Sequence, residues 1–344
     1  MTDFEKVIDF GNMYRAFRKS KCGKGYKRSS ARFDLAALDG VNALIRQLKD
    51  KTYRISDYTE FKVYEPKERL IQTTSFKEKV IQHSLCDNVL MPRLQEVFVK
   101  DNCAGQMGKG TLFGLDRLAD QMRAFYERYG RSGYILKCDI TKFFYNIRHE
   151  ELKDIVRYWF DDPDVCWLCE LFIDSTEGPG IPLGNQINQG FALLYLDGMD
   201  KLIQYELGIE YYGRYMDDFY LIHPNKKYLR HCLEVLTAYL QTLGLSLNGK
   251  TQIFPLKNGI SFLGFHTYID KNGKPVRKLK NQNKRNARKK FVRMARLVAN
   301  GGVPEKRFWD SYNAWKNHAS HGNCADLIRD MDRSICAALK GCEI

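Results

Sequence analysis

Residues 211–222, YYGRYMDDFYLI, decide the fold of this chain. Two runs of aromatic and apolar residues flank the adjacent acids Asp217 and Asp218, and this pattern predicts a β-hairpin that carries both carboxylates at its turn. Adjacent carboxylates repel each other, so a rigid hairpin that presents both needs a cation nearby. Mg²⁺ prefers carboxylate oxygens, and two such ions about 3.5–4 Å apart can hold the attacking and leaving oxygens of a phosphoryl transfer. The hairpin therefore predicts a site for divalent metal ions that is suited to phosphoryl transfer.

Asp139 is the candidate for a third carboxylate at this site. It ends the run YILKCDI at 134–140, which is short, mostly apolar and bounded by Gly133. Such a run is typical of a buried strand that ends in an acid. Sequence spacing does not itself place this strand beside the hairpin.

A second pair of adjacent acids, Asp161 and Asp162, is an internal control for this interpretation. It lies in WFDDPDV and precedes Pro163, which indicates a turn or the start of a helix. An Asp-Asp pair alone therefore does not identify a metal site. The apolar runs on both sides of 217–218 make the difference.

Hydrophobic periodicity predicts further elements on both sides of the hairpin. They are helices over residues 36–48, 79–98 (interrupted at Pro92) and 226–243, and strands over residues 58–64 and 245–248. Strands and helices intermingle without repeating as βαβ units, so an α+β fold is favoured over a barrel.

The chain is basic, and its positive charge is concentrated in two segments. It has 344 residues, 55 Lys and Arg against 41 Asp and Glu, a net charge of +14 and a hydrophobic fraction of 44%. This composition predicts a folded protein of two or three lobes. Twelve Lys and Arg and no acid lie in 271–296, and eight cations without an acid lie in 15–32. Each segment is either a solvated face or a surface for a phosphate backbone.

Several other classes of protein are disfavoured. The most apolar stretch, residues 191–196, is far shorter than the ~18 residues of a membrane span. The acidic N-terminal residues and ten scattered cysteines predict a cytoplasmic chain with reduced thiols, in which Cys166 and Cys169 are core residues. The glycine-rich stretch 104–114 does not match a P-loop, which argues against a nucleoside triphosphatase.

These features together resemble the reverse transcriptases. YMDD at 215–218 resembles motif C of that family. The other matching segments are VYEPKERLIQTTSFKEKVIQHSL (63–85, fingers), ILKCDITKFFYNIRHEEL (135–152, motif A), GIPLGNQINQGFALLYLDGMD (180–200, motif B), LGLSLNGKTQIFP (243–255, motif D), GISFLGF (259–265, motif E) and WKNHASHGN (315–323, thumb). Seven motifs in the family order are far more specific than any one of them.

The resemblance implies a two-metal polymerase site. Asp139 and Asp217 would bind two Mg²⁺ ions, with Mn²⁺ as an alternative, and Asp218 would support them. The Ile140 carbonyl would complete one coordination shell. Lys250 matches the motif D lysine that protonates pyrophosphate; a solvated lysine at a strand end is the alternative interpretation.

The resemblance also implies a site for a deoxynucleotide. Phe144 would lie under the sugar and exclude a 2′-hydroxyl, whereas Phe143 is expected in the core. Lys67 and Arg69 would neutralise the triphosphate. The residues Leu183 and Gly184 would complete the nucleotide-binding pocket.

Motif B indicates a subgroup of the family. Leu183 stands where retroviral and group II intron enzymes have Gln, and Gln189 stands where they have Pro. This form resembles the enzymes of diversity-generating retroelements and their relatives in antiphage defence, although Asn188 replaces their usual Ser. The resemblance to the enzymes of diversity-generating retroelements implies elevated misincorporation, concentrated at template adenines.

The expected architecture is an α+β right-hand polymerase with fingers, a palm built on an antiparallel sheet, and a helical thumb. The predicted boundaries are fingers 1–132, palm 133–266 with a fingers insertion around 145–180, and basic thumb 267–344. Nucleic-acid contacts are expected from Lys278, Lys280, Lys284, Arg285, Arg288, Lys289 and Lys290.

The expected partners are a template RNA, a DNA or RNA primer and deoxynucleotides, with a noncoding RNA or a small accessory protein in addition and no membrane. The sequence does not determine an oligomeric state. One rival function is a defence enzyme that copies a dedicated noncoding RNA. Another is a catalytically silent RNA-binding scaffold, against which the three aspartates, Phe144 and Lys250 argue.

Overall fold

The computed structural model describes residues 1–64 and 68–340. Its strands are β1 (Thr59–Val63), β2 (Arg69–Thr73), β3 (Tyr134–Asp139), β4 (Tyr211–Tyr215), β5 (Asp218–His223), β6 (Gln252–Pro255), β7 (Ile260–Phe262), β8 (Phe265–Ile269) and β9 (Pro275–Leu279). They form a β1–β2 hairpin, a four-stranded sheet in the order β4-β5-β3-β6 and a three-stranded sheet in the order β7-β8-β9. All of the strand pairs are antiparallel.

Helices make up most of the remaining described chain. They are α1 (Asp3–Ile8), α2 (Phe10–Lys21), α3 (Arg28–Asp34), α4 (Ala37–Lys49), α5 (Phe76–Leu85), α6 (Met91–Val97), α7 (Thr111–Tyr129), α8 (Phe143–Asn146), α9 (His149–Trp159), α10 (Pro163–Ile173), α11 (Gln186–Tyr195), α12 (Asp197–Lys201), α13 (Lys226–Thr242), α14 (Asn281–Ala299), α15 (Glu305–Ser320) and α16 (Ala325–Leu339).

The four-stranded sheet is buried on both faces, because helices cover each of them. The alternation of side chains along β3 sends Ile135 to one face and Leu136 to the other. Ile135 packs in a cluster with Phe125 of α7, and Leu136 packs in a cluster with Leu236 of α13. Burial of both faces explains why β3 and β5 read as nearly continuous apolar runs in the sequence.

The N-terminal helices and the segment between β3 and β4 pack against each other. Asp162 caps the N-terminus of α10, accepting from the backbone N–H groups of Asp164 and Val165. Its other carboxylate oxygen accepts from the N–H of Phe4, and the Phe4 ring lies 6.4 Å from the ring of Trp167. Of the two outcomes predicted for this acidic pair, a turn or the start of a helix, the structure shows the start of a helix.

The C-terminal region is a helical unit with a basic outer face. On α14, Ala287, Phe291 and Ala295 recur every four residues and are buried in a cluster with residues of α15 and α16. Most of the cations of α14 are exposed on its other faces. The expected palm–thumb boundary after residue 266 lies inside β8, and the helical part begins at Asn281.

Two local expectations are wrong. The helix expected over 79–98 begins earlier, at Phe76, and its interruption is a π-helical turn over Cys86–Leu90, directly before Pro92, which follows in α6 and has no N–H to donate. The stretch 245–248 makes only a single bridge, between Leu247 and Ile140, because a turn closed by the Thr251 N–H to the Asn248 carbonyl separates it from β6.

Cys166 and Cys169 are both buried on α10. All nine cysteines in the described part of the chain are free thiols. No helix within the described ranges combines the length and the apolar character that crossing a bilayer requires.

Candidate active site

The hairpin formed by β4 and β5 has a two-residue turn of Met216 and Asp217, which we call the hairpin turn. Tyr215 pairs with Asp218 as the last step of the ladder before it. Met216 has a φ of 57°, in the left-handed region that non-glycine residues rarely adopt. Tight two-residue hairpins commonly require a positive φ at this position. The residue directly before Asp217 thus has the less favourable backbone conformation.

The structure brings Asp139 to the hairpin. Strand β3 pairs with β5 in a register that sets Asp139 directly opposite Asp218. Beyond the end of this ladder, the Ile140 N–H donates to the Asp217 carbonyl at 3.2 Å. The main chain that carries Asp139 and Ile140 is therefore fixed against the main chain that carries the two other acids.

Asp218 forms an ion pair with Lys137, a residue that the sequence analysis did not single out. The Lys137 ammonium lies within β3 and 5.0 Å from the ring centroid of Phe262 on β7. Burial lowers the pKa of Lys137, and the neighbouring Asp139 opposes that shift. A lysine inside an otherwise apolar strand is the signal that could have identified it, since such a charge is rarely buried without a partner.

Asp217 lies in a region of concentrated negative charge. Burial raises the pKa of its carboxyl, and Asp139 raises it further, whereas Arg69 and Lys137 lower it. A divalent cation bound here would offset both unfavourable effects, and carboxylate oxygens are the donors that hard cations prefer. The chemistry of these donors therefore fits a divalent metal.

Asp218 is engaged differently from the other two aspartates. Within residues 1–64 and 68–340, no three Asp, Glu, His or Cys side chains converge closely enough to enclose one metal ion. The Asp218 carboxylate is paired with Lys137, and it lines the same cavity as Asp139. Asp218 therefore differs from Asp139 and Asp217 in having a lysine as its partner.

A cavity of about 500 Å³ opens beside the aspartates. Its lining includes Asp139, Asp218 and the exposed Lys250, the side chain that motif D identifies. Lys280 and His266 line the same cavity, and burial lowers the pKa of each. The cavity therefore joins the acidic centre to cations from motif D and from the segment that precedes α14.

Motif B contacts the β1–β2 hairpin. The Leu183 carbonyl accepts from the Gln72 N–H of β2 at 3.1 Å. Gly184 has a φ of 116°, and a Cβ there would lie 2.9 Å from Cγ2 of Ile71, so only glycine fits. Arg69 begins the same strand. Lys67 lies outside the described residues.

Phe143 and Phe144 occupy different environments. Phe143 is 2% exposed and belongs to the core, whereas Phe144 is half-buried on α8. The Phe144 carbonyl accepts from the Ile181 N–H at 2.8 Å, which ties this short helix to motif B. The side chain of Phe144 is thus the one of the pair that can contact a ligand.

The expected nucleic-acid contacts extend from β9 along α14. Lys278 is exposed on β9, Lys280 lines the cavity beside the aspartates, and the others lie on α14. On that helix, Lys284 is half-buried, and Arg285, Arg288, Lys289 and Lys290 are exposed. Of these cations, Lys280 therefore lies beside the acidic centre, and the others continue from it along β9 and α14.

Comparison with known protein families gives a match over more than half of the chain. Residues 65–267 match the family described as reverse transcriptase (RNA-dependent DNA polymerase). No curated protein sequence is significantly similar to the chain.

Two solved structures share the fold. One is the apo telomerase of Candida tropicalis truncated from its C-terminal domain, with 15% identity, a TM-score of 0.50 and coverage of 68% of this chain and 58% of that one. The other is the telomerase of Candida albicans in complex with the TWJ fragment of telomeric RNA, with 12% identity, a TM-score of 0.52 and coverage of 88% and 59%. The chain spans less than two thirds of the length of either telomerase chain.

Proposed function

Because the chain belongs to the family of reverse transcriptases, which are RNA-dependent DNA polymerases, we propose that it extends a primer on an RNA template at the site around Asp139 and Asp217. The observation that carries the proposal is the register of β3 against β5, which sets Asp139 opposite Asp218. The direct test is extension of a DNA or RNA primer on an RNA template by the purified protein, with Mg²⁺, with Mn²⁺ and with a chelator.

The proposal assigns a role to each side chain at the site. Asp139, Asp217 and the Ile140 carbonyl would hold two divalent ions, which would activate the primer hydroxyl and stabilise the charge on the leaving pyrophosphate. Lys137 neutralises Asp218 and so reduces the repulsion among the three carboxylates.

Around the metal site, other side chains would act on the nucleotide. Lys250, at the rim of the cavity, would donate a proton to the leaving pyrophosphate. The positive charge of Arg69 lowers the pKa of Asp217, so Arg69 lies near the metal site. Together with Lys67, it would bind the incoming triphosphate. Phe144 would pack under the sugar.

The proposed lobes are fingers 1–132, palm 133–266 with a fingers insertion around 145–180, and thumb 267–344. The central sheet and its covering helices support the palm, and the cluster of α14, α15 and α16 supports the thumb. The contact of α10 with the N-terminal segment through Asp162 and Phe4 supports the insertion.

Two basic surfaces would bind RNA or a template–primer duplex through phosphates. The first is the exposed face of α14. The second lies on the N-terminal helices, where Arg28, Arg32 and Lys77 line a groove of about 930 Å³. Burial lowers the pKa of Lys79, and the charges of Lys24 and Lys27 lower it further, which indicates a concentrated positive potential on this side.

Reversing the charge of Arg288, Lys289 and Lys290 together should flatten the salt dependence of RNA binding. Each lost phosphate contact reduces the slope of log K against log salt by about 0.7 to 0.9. The expected change is a slope shallower by roughly 2 to 3, measured by fluorescence anisotropy with a labelled RNA across a salt series.

The matched control reverses Lys226, Lys227 and Arg230, three exposed cations of α13, which packs on the palm sheet. This variant changes the net charge by the same amount, so it should lower the overall affinity slightly without the same loss of slope. If the slope of log K against log salt is the same in the two variants, the basic face of α14 is solvated and does not bind RNA.

The copied RNA is proposed to be a dedicated noncoding or retroelement RNA. The basic surfaces on the thumb and the N-terminal helices support a structured RNA partner. Sequencing the RNA that copurifies with the protein, and the DNA made from it, tests this proposal. Random cellular RNA in the complex would argue against it, and a copurifying small protein would identify an accessory subunit.

Leu183→Gln should lower the error rate of synthesis. The Leu183 carbonyl is fixed by Gln72, so the substitution changes only the half-buried side chain. A leucine offers shape but no polar complementarity, which weakens discrimination by about 1–3 kcal/mol. We expect the parent to misincorporate about tenfold more often than the variant, mainly at template adenines, in sequenced cDNA.

Leu183→Met is the control for this experiment, because it keeps an apolar side chain of similar volume. Its error spectrum should match that of the parent, and Leu183→Asn should behave like Leu183→Gln. Equal and low error rates in all four proteins would exclude a mutagenic retroelement function. They would favour an antiphage-defence enzyme, whose function depends on the identity of the DNA that it makes.

A further inference from the structure

A buried ion pair between Asp200 and Arg214 lies next to the hairpin turn. Both side chains are fully buried. Nε and Nη2 of Arg214 donate to the two carboxylate oxygens of Asp200 at 2.6 and 2.5 Å. The Tyr212 hydroxyl donates to the same carboxylate at 2.5 Å. Since Asp200 lies on α12 and the two other residues lie on β4, this cluster joins a helix to the catalytic hairpin.

The guanidinium also reaches two main-chain carbonyls. Nη1 of Arg214 donates to the Met216 carbonyl at 3.1 Å, and Nη2 donates to the Leu193 carbonyl of α11 at 3.3 Å. On the other side, the Asp217 carbonyl accepts from the Ile140 N–H. The hairpin turn is therefore held from two sides, and its left-handed residue is the one that Arg214 contacts.

Stability alone does not explain a charged cluster at this place. Replacing a buried ion pair by well-packed apolar residues is often neutral or stabilising. An apolar residue in place of Arg214, however, would remove the donor to the buried Leu193 carbonyl and to the partly buried Met216 carbonyl. A lysine could not replace it either, because an ammonium lacks the planar fork that spans four acceptors.

We infer that the cluster of Asp200, Arg214 and Tyr212 is a positioning device, which fixes the hairpin turn so that Asp217 faces Asp139. The inference rests on the proposed metal site. None of the three side chains touches the reacting atoms; they act through the main chain of Met216. Their loss should therefore displace Asp217 and weaken metal binding.

Arg214→Lys tests the inference, since it keeps the charge and removes the fork. We expect Mn²⁺ binding, followed by electron paramagnetic resonance, to weaken at least about tenfold. The kcat of primer extension should fall about 100-fold, because a displacement of about 1 Å has that effect on a reacting geometry. The KM for the deoxynucleotide should change little, since Leu183 and Arg69 stay in place.

Arg157→Lys is the matched control. Arg157 of α9 pairs with Glu170 of α10, with its Nε at 2.7 Å from the carboxylate, and neither residue contacts the hairpin turn. Metal binding and kcat should stay within about twofold of the parent, because the turn keeps its contacts.

A folded Arg214→Lys protein that binds Mn²⁺ as tightly as the parent would overturn the inference. If that variant does not fold, Tyr212→Phe decides, because it removes a single hydrogen bond to Asp200. Weaker Mn²⁺ binding by this variant supports the inference, and unchanged binding contradicts it. A parent that lacks polymerase activity but loses Mn²⁺ binding with Arg214→Lys would refute the proposed function and leave this inference intact.

Discussion

Asp217→Asn, and separately Asp139→Asn, is expected to abolish metal-dependent DNA synthesis while the protein stays folded. Each substitution removes a carboxylate that would bind the metals, and such a loss costs several kcal/mol of transition-state stabilisation, or at least about 1000-fold in rate. Primer extension on an RNA template measures the effect. The fold should persist because burial and the proximity of Asp139 already disfavour the charged form of Asp217. The free energy of unfolding of the Asp217→Asn protein should therefore not decrease.

Asp161→Asn is the natural control, because it alters an exposed acid of the second Asp-Asp pair and leaves the helix cap of Asp162 in place. Its synthesis should match that of the parent. A protein with both Asp139→Asn and Asp217→Asn that still extended a primer would show that the catalytic centre lies elsewhere.

Phe144→Ala is expected to admit ribonucleotides that the parent rejects. The side chain is half-buried and can contact a bound sugar, so its removal opens space for a 2′-hydroxyl. If steric exclusion sets the choice, the preference for deoxynucleotides should fall about 100-fold, which corresponds to about 2.7 kcal/mol. The measurement is the ratio of kcat/KM for matched deoxyribonucleoside and ribonucleoside triphosphates.

Phe144→Tyr retains the bulk and should retain the preference. Phe143→Leu, in the adjacent core position, should lower stability without changing the sugar preference, because that ring is 2% exposed. A Phe144→Ala protein that lost synthesis without any gain in ribonucleotide use would assign Phe144 to the core instead.

Local patterns in the sequence predicted much of the palm. The apolar runs around Asp217 and Asp218 predicted the hairpin, and the run ending in Asp139 predicted β3. The apolar stripe over 226–243 predicted α13, which ends at Thr242. These elements depend on neighbouring residues whose periodicity matches a strand or a helix, so a short window of sequence carries the information.

Hydrophobic periodicity alone was an incomplete guide to two segments. Residues 245–248 alternate like a strand, yet they make one bridge, and a turn at Asn248–Thr251 separates them from β6. The long helix expected over 79–98 contains a π-helical turn, which its apolar pattern does not indicate. Periodicity indicates what a segment could form, but it does not report a turn or a change in helical hydrogen bonding within that segment.

By itself, the sequence determined the hairpin of β4 and β5, strands β1 and β3, helices α4 and α13, the order of the motifs and the identity of the acids. Only the tertiary structure decided that Asp139 lies opposite Asp218, that Lys137 pairs with Asp218 and that Arg214 holds the hairpin turn. The physical reason is that these contacts join residues on different elements. Their energies depend on strand register and on burial, which raises the cost of an unpaired charge, and both quantities exist only once the chain has packed.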